Sequence, residues 1–220
     1  MTDAIPIPPG WRERAHERSL ATARRRVDDQ LARLVRATQA IWDAGQDLTV
    51  PALVARAGMS TKTFYRYFSS RDDLLFAVVE EEFQAGGRLL QKALADSPDP
   101  RERLRLFVLT YLRLGQGYPT PGARRIRIEE TQRLRGVDPA RSLEALAPLH
   151  DALRSVLEDA AGAGLASGTD LELTTRSVLH LLNGHLVDLA FMESDEVRRR
   201  LEHHAVRAAF GVVGMEPQGV

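Results

Sequence analysis

Residues Thr49 to Leu75 read TVPALVARAGMSTKTFYRYFSSRDDLL. Three hydroxyl residues in this stretch stand where helices should begin. Thr49 suits an N-cap, its oxygen accepting from a free N–H of the first turn. Pro51 then falls where a missing N–H costs nothing. Val50, Leu53, Val54 and Ala57 recur every three or four residues and make one apolar face. Gly58 ends that helix, in the left-handed conformation that glycine adopts cheaply. Met59 plugs the angle, and Ser60 caps a second helix opening with Thr61, Lys62 and Thr63. Phe64 and Phe68, four apart, are expected to face inward. Tyr65, Arg66 and Tyr67 lie between them and cannot all be buried. Ser70 caps a third helix, with Asp72 and Asp73 in its first turn, where the helix dipole favours carboxylates. Arg71, at the wrong end for that dipole, is placed for a phosphate contact.

Two short helices joined by a tight turn have the layout of a helix-turn-helix, which sets its second helix in the DNA major groove. The segment AGMSTKTFYRYFSSRDDLL resembles the DNA-binding signature of the TetR family of transcriptional regulators. The resemblance has specific motif content over roughly residues 27–80. Beyond them it rests on length and an all-helical pattern. It implies an all-α fold: an N-terminal three-helix DNA-binding domain, then a helical ligand-binding and dimerisation domain. It also implies that Thr61, Lys62 and Thr63, following Ser60, approach base edges. Tyr65, Tyr67 and Arg71 would grip phosphates, with Thr49 doing so from the preceding helix. Two departures stand out. Gln46 and Asp47 follow Gly45 where the family usually has an aromatic or large residue, and Arg71 replaces the usual lysine.

The whole chain of 220 residues is neutral, with 30 Lys and Arg against 30 Asp and Glu. The balance is uneven along it. Residues 1–70 hold 11 basic against 7 acidic side chains, and residues 71–220 hold 19 against 23. A basic head joined to an acidic body suits a nucleic-acid binder. Only Lys62 and Lys92 are lysines. Without cysteine there is no disulfide, thiol nucleophile or zinc–thiolate site. There is no nucleophile elbow and no H-E-x-x-H motif, and the carboxylates fall at helix starts, so no catalytic residues are assigned and no enzyme is expected. His180 and His185 are five apart, and His203 and His204 are adjacent. Neither pair shares a helix face, so neither metal nor cofactor is expected. No signal peptide is evident, and no run of about 18 apolar residues suggests a membrane span. A cytoplasmic bacterial protein is the expectation.

Three regions follow: a partly basic N-terminal extension (1–26) read as flexible, the DNA-binding domain (27–72) and the regulatory domain (73–220). Within the extension, residues 11–26 read as helix or as a mobile arm whose Arg24, Arg25 and Arg26 could reach a minor groove. The first domain helix, 27–44, buries Val27, Leu31, Leu34, Val35, Thr38, Ile41 and Trp42. The third motif helix continues towards Leu94, loosened at Gly86 and Gly87. Helices are expected over 103–114, about 122–134, and 140–163, the last with Leu143, Leu146, Leu149, Leu153, Val156 and Leu157 inward and Pro148 kinking or starting it. GAGLASG (162–168) follows a helix rather than a strand and is a linker, not a phosphate cradle. Two final helices cover about 170–192 and 195–213.

The resemblance gives the body its roles. The last two helices would pair with a second copy in a homodimer, although their wide apolar faces also suit burial within one chain. Phe83, Phe107, Tyr111, His150 and His180 are candidates to line a site for a small, hydrophobic effector. Two heads would bind a palindromic operator in double-stranded DNA, and effector binding would relieve repression. The competing reading is a helical adaptor or structural protein in which Tyr65 and Tyr67 are ordinary surface residues.

Overall fold

The computed structural model describes residues 10–118, 120–166, 170–192 and 194–216, with the backbone alone at Arg12 and Ala190. The described residues form nine α-helices: α1 Trp11–Asp43, α2 Val50–Ala57, α3 Thr61–Tyr67, α4 Arg71–Ala95, α5 Pro100–Leu114, α6 Pro121–Val137, α7 Pro139–Gly162, α8 Leu171–Phe191 and α9 Asp195–Val213.

The starts of the motif helices follow from short-range hydrogen bonds. Thr49 accepts from Ala52 N at 3.3 Å, Ser60 from Thr63 N at 3.1 Å and Ser70 from Asp73 N at 3.1 Å. Gly58 closes α2 at φ 63°. Gly45, at φ 66°, turns the chain out of α1. Each cap satisfies an N–H that the helix start leaves without a partner.

Two hydrophobic cores result. The first gathers Leu34, Ile41 and Trp42 of α1, Leu53 and Val54 of α2, Phe64 and Phe68, and Leu74 to Val79 of α4. Leu134 of α6 is buried in it as well. The second is built from Leu90 and Leu94 of α4 and the apolar faces of α5, α7, α8 and α9. Phe83 packs against both. On α5, Leu104, Phe107, Val108, Tyr111 and Leu112 are all buried.

Several expectations are corrected. Residues 11–26, assigned to a flexible extension, are helical and continuous with α1, because nothing between Gly10 and Asp43 breaks the helix. Residues 1–9 of that extension lie outside the described residues. Val27 is exposed, since the head core begins a turn later on α1. Leu143 is also exposed, one turn into α7 before that helix meets the body. The linker reading of 162–168 lies partly outside the described residues. Pro148 stands inside α7 and does not start it.

Gly86 and Gly87 have the opposite role to the loosening expected of them. Both are buried where α4 lies against α7, the most extensive helix pair. A Cβ at Gly87 would come within 2.6 Å of Pro148 Cβ and 3.3 Å of its backbone. A Cβ at Gly86 would meet only the ends of Leu114 and Leu149, at 3.2 and 3.4 Å. The absent side chain lets two backbones approach at a rigid proline ring.

This contact predicts a reversal of the usual glycine rule. Overpacking at Gly87→Ala should cost roughly 1–3 kcal/mol, more than the ~1 kcal/mol alanine gains inside a helix. Gly136→Ala, on exposed α6 with open space around its Cβ, should stabilise by about 0.5–1 kcal/mol. Urea unfolding of the two variants should move in opposite directions.

Candidate nucleic-acid interface and regulatory cavity

The turn between α2 and α3 fixes which side chains α3 presents. Phe64 and Phe68 are buried, so the positions between and before them turn outward. Thr61 and Lys62 are exposed on the first turn, and Thr63 is half-buried beside them. Ser60 is spent as a cap: its hydroxyl also lies 2.9 Å from Thr63 Oγ1. Tyr65 is 56% exposed, and its ring stands edge-on to Phe64 at 5.1 Å. The packed edge orients the ring while leaving its far end to solvent.

Tyr67 is held more tightly. Its hydroxyl donates to Gln30 Oε1 of α1. Arg66 donates to the same oxygen at 3.0 Å and to the Tyr67 hydroxyl at 2.9 Å, and lies 4.8 Å from the Tyr67 ring centre. Thr49 stays exposed at the start of α2. Arg71 is near it but engaged: Nη1 donates to Leu48 O at 3.2 Å, and the guanidinium pairs with Asp72 at 3.4 Å and Glu130 at 3.7 Å. It ties the loop before α2 to α4 and α6. Thr61, Lys62, Tyr65 and Tyr67 thus share one small helix, with Thr49 and Arg71 at its flank. Sequence reasoning missed Arg66 and Gln30 as members of this surface. Their pairing spans 36 residues, and no local spacing signals it.

Behind this surface, α4 is locked to the body by ion pairs. Asp72 accepts from Arg133 at 2.6 and 3.0 Å. Asp73 accepts from Arg141 at 2.9 Å, and Arg141 also donates to Glu80 at 2.8 Å. The hydrogen bonds from Arg133 and Arg141 hold the Asp72 and Asp73 carboxyls below the usual carboxylate range.

A cavity of about 420 Å³ opens beneath, between α4, α5, α6 and α8. Its apolar lining includes Phe83, Leu89, Leu114, Leu149, Leu186 and Val187. Tyr111 and Asn183 form one polar edge, the tyrosine hydroxyl donating to the amide oxygen at 3.0 Å. Burial pushes the Tyr111 hydroxyl above the ordinary phenol range and Tyr118 up to about 12. Arg127 forms the other edge and is itself buried. It pairs with Glu82 of α4, lies 3.7 Å from Asp43 of α1, and sits between the rings of Trp42 (4.9 Å) and Tyr118 (4.5 Å). Of the predicted ligand residues, Phe83 and Tyr111 line this space. Phe107 is buried in the adjacent core, stacked on Tyr111 at 5.9 Å. His150 faces Glu172 at 3.3 Å and His180 is exposed, both away from the lining. The cavity draws instead on Arg127 and Asn183. Among the described residues, no group of three or more His, Asp or Glu is arranged to hold a metal, and no helix is long and apolar enough to cross a membrane.

The family model for bacterial regulatory proteins of the tetR family matches residues 34–78, which spans α2, α3 and the packed parts of α1 and α4. Two curated relatives, uncharacterised HTH-type transcriptional regulators from two strains of Mycobacterium tuberculosis, are 40% identical over 67 residues, 30% of this chain and 33% of theirs. The alignment therefore spans about a third of the relatives' length. Similar solved structures cover nearly the whole chain at low identity. A TetR transcription regulator from Haloarcula marismortui aligns with a TM-score of 0.66 at 21% identity, over 86% of this chain and 98% of that one. RolR in complex with resorcinol aligns at 0.62 and 20%, over 87% and 94%. FadR of Bacillus subtilis, in complex with stearoyl-CoA, aligns at 0.60 and 15%, over 86% and 98%. The head, residues 34–78, thus carries the DNA-binding module of the tetR family by sequence, and the chain as a whole shares its fold with TetR-family structures.

Proposed function

We propose that the protein is a DNA-binding transcriptional regulator, acting as a repressor that a small, largely apolar effector releases from a palindromic operator. The observation that carries this reading is the α3 surface. A capped helix presents Thr61 and Lys62, with Tyr65, Arg66 and Tyr67 beside them and no carboxylate on the helix itself. Lys62 and the threonine hydroxyls can donate to base edges, lysine to guanine acceptors in particular. Tyr65, Tyr67, Thr49 and Arg71 supply hydroxyl and guanidinium donors for phosphates, which fix register without reading sequence. Arg71 would share its guanidinium between a phosphate and its present acceptors.

The cavity supports the regulatory half of the reading. Its size and mainly apolar lining suit a small-molecule site, and two structural neighbours hold small molecules in their solved complexes. Arg127 links it to the head: a ligand that displaces the guanidinium from Asp43 or Glu82 acts directly on α1 and α4. Such a ligand shifts the population between head positions only as far as it binds one better. Dimerisation through α8 and α9 is supported by apolar side chains left outside the core, Leu173 and Phe191 on α8 and Val197 and Val212 on α9. A two-fold pair would present two heads to two half-sites. Assignment to the cytoplasm goes with a DNA-binding role.

Gel-shift titrations at several salt concentrations separate the roles on α3. Lys62→Ala should relax base preference. Tyr65→Phe should weaken binding to all sequences alike, and Arg71→Ala should do so with a shallower salt slope. Wild-type affinity in all three would refute the α3 assignment, and the adaptor reading would gain. Occupancy of the cavity has its own reporter. The chain has two tryptophans, so in a Trp11→Phe protein Trp42 emits alone from against Arg127. Resorcinol or a small phenol that enters the cavity should shift that emission and lower DNA affinity over the same concentration range. A shift without loss of DNA binding would contradict the coupling.

A further inference from the structure

Helix α1 runs far beyond the head it belongs to. None of the described side chains from Trp11 to Asp29 is buried, so this half of the helix packs on nothing that would explain its composition. Arg18, Arg25, Arg26, Arg33 and Arg36 lie along it, all exposed. At 100° per residue they fall within an arc of roughly 100° and run for about 27 Å along the axis. Asp29 is the one carboxylate in that arc; Glu13, Glu17 and Asp28 fall on the other side of the helix. None of the five arginines has an ion pair or a side-chain hydrogen bond among the described residues. In the body, by contrast, Arg127, Arg133 and Arg141 each face carboxylates.

We infer that this arginine row is a second DNA-contacting surface, which grips the phosphates flanking the segment read by α3. The inference rests on the DNA-binding reading of α3 and extends it. Gln30 carries the connection. It lies at the edge of the row, one helical turn from Arg26, and accepts from both Tyr67 and Arg66 of α3. Arg26, Gln30, Arg33 and Arg36 share one shallow groove with Asp29. The row is therefore continuous with the α3 surface, and a duplex seated on α3 meets it. Guanidinium groups without protein acceptors are matched to phosphate oxygens, which they bind bidentately. The contacts carry no base information, so the row adds affinity and footprint length and leaves sequence preference to α3. A rigid helical row replaces the mobile arm that the sequence alone allows, and it tracks the backbone rather than threading a minor groove.

The test compares wild type with an Arg25→Ala, Arg26→Ala, Arg33→Ala triple variant. Each is titrated against DNA from upstream of the protein's own gene and a random-sequence duplex of equal length, at several salt concentrations. Each lost phosphate contact makes the log–log salt slope shallower by about 0.9. The triple variant should thus lose about 2–3 in slope, weaken on both duplexes by the same factor, and lose hydroxyl-radical protection at the outer edges of the footprint. The corresponding triple lysine variant should recover most of the slope. Circular dichroism should show wild-type helix in both. If wild type binds DNA and the alanine variant keeps its slope and footprint, the row does not touch DNA and an acidic protein partner becomes its better explanation. If wild type binds neither duplex, the α3 reading fails and this one fails with it.

Discussion

An unbroken α4 has to bury its first turns in one hydrophobic core and its last turns in another. Leu74, Leu75, Phe76, Val78 and Val79 belong to the head, Leu90 and Leu94 to the body, and Phe83 touches both. A helix with side chains fixed at both ends cannot rotate or slide at one end alone. Gly87 adds a second restraint, because its contact with the Pro148 ring sets how closely α4 and α7 approach. Ion pairs from Asp72 to Arg133 and from Asp73 to Arg141 tie the start of α4 to α6 and α7. The orientation of α3 thus depends on contacts made by the body.

Arg127 extends the same logic to the cavity. A guanidinium taken out of water is costly unless its charge is met. Here Glu82, Asp43 and two aromatic rings meet it. The burial that lines the cavity also joins α6 to α1 and α4. In the proposed reading, a molecule entering the space would compete with groups that position the head, which would couple binding to head position without a longer pathway.

What was legible in the sequence was local. The caps at Thr49, Ser60 and Ser70 bond within three residues, and Phe64 and Phe68 lie one turn apart, so spacing alone places them. The boundaries of α8 and α9 came within a residue or two for the same reason. What was not legible depended on partners far along the chain. Gly86 and Gly87 look like weak points until Pro148, about 60 residues on, is set against Gly87. Arg127, Arg133 and Arg141 look like a solvated charge run until carboxylates from α1 and α4 face them. His150 and His180 have ligand chemistry, but the helix rotation turns both away from the cavity, while Arg127 and Asn183 turn towards it. The charge asymmetry of the first 70 residues was visible; that five of its arginines line one stripe needed the continuous helix from Trp11.

The central claim is that α3 meets a particular DNA sequence. Fluorescence anisotropy with the intergenic duplex upstream of the protein's own gene, against a random-sequence duplex of equal length, tests it most directly. The account predicts saturable binding to the first that is at least about a thousandfold tighter than to the second at physiological salt. Equal affinity for both duplexes, or binding to neither, would contradict it.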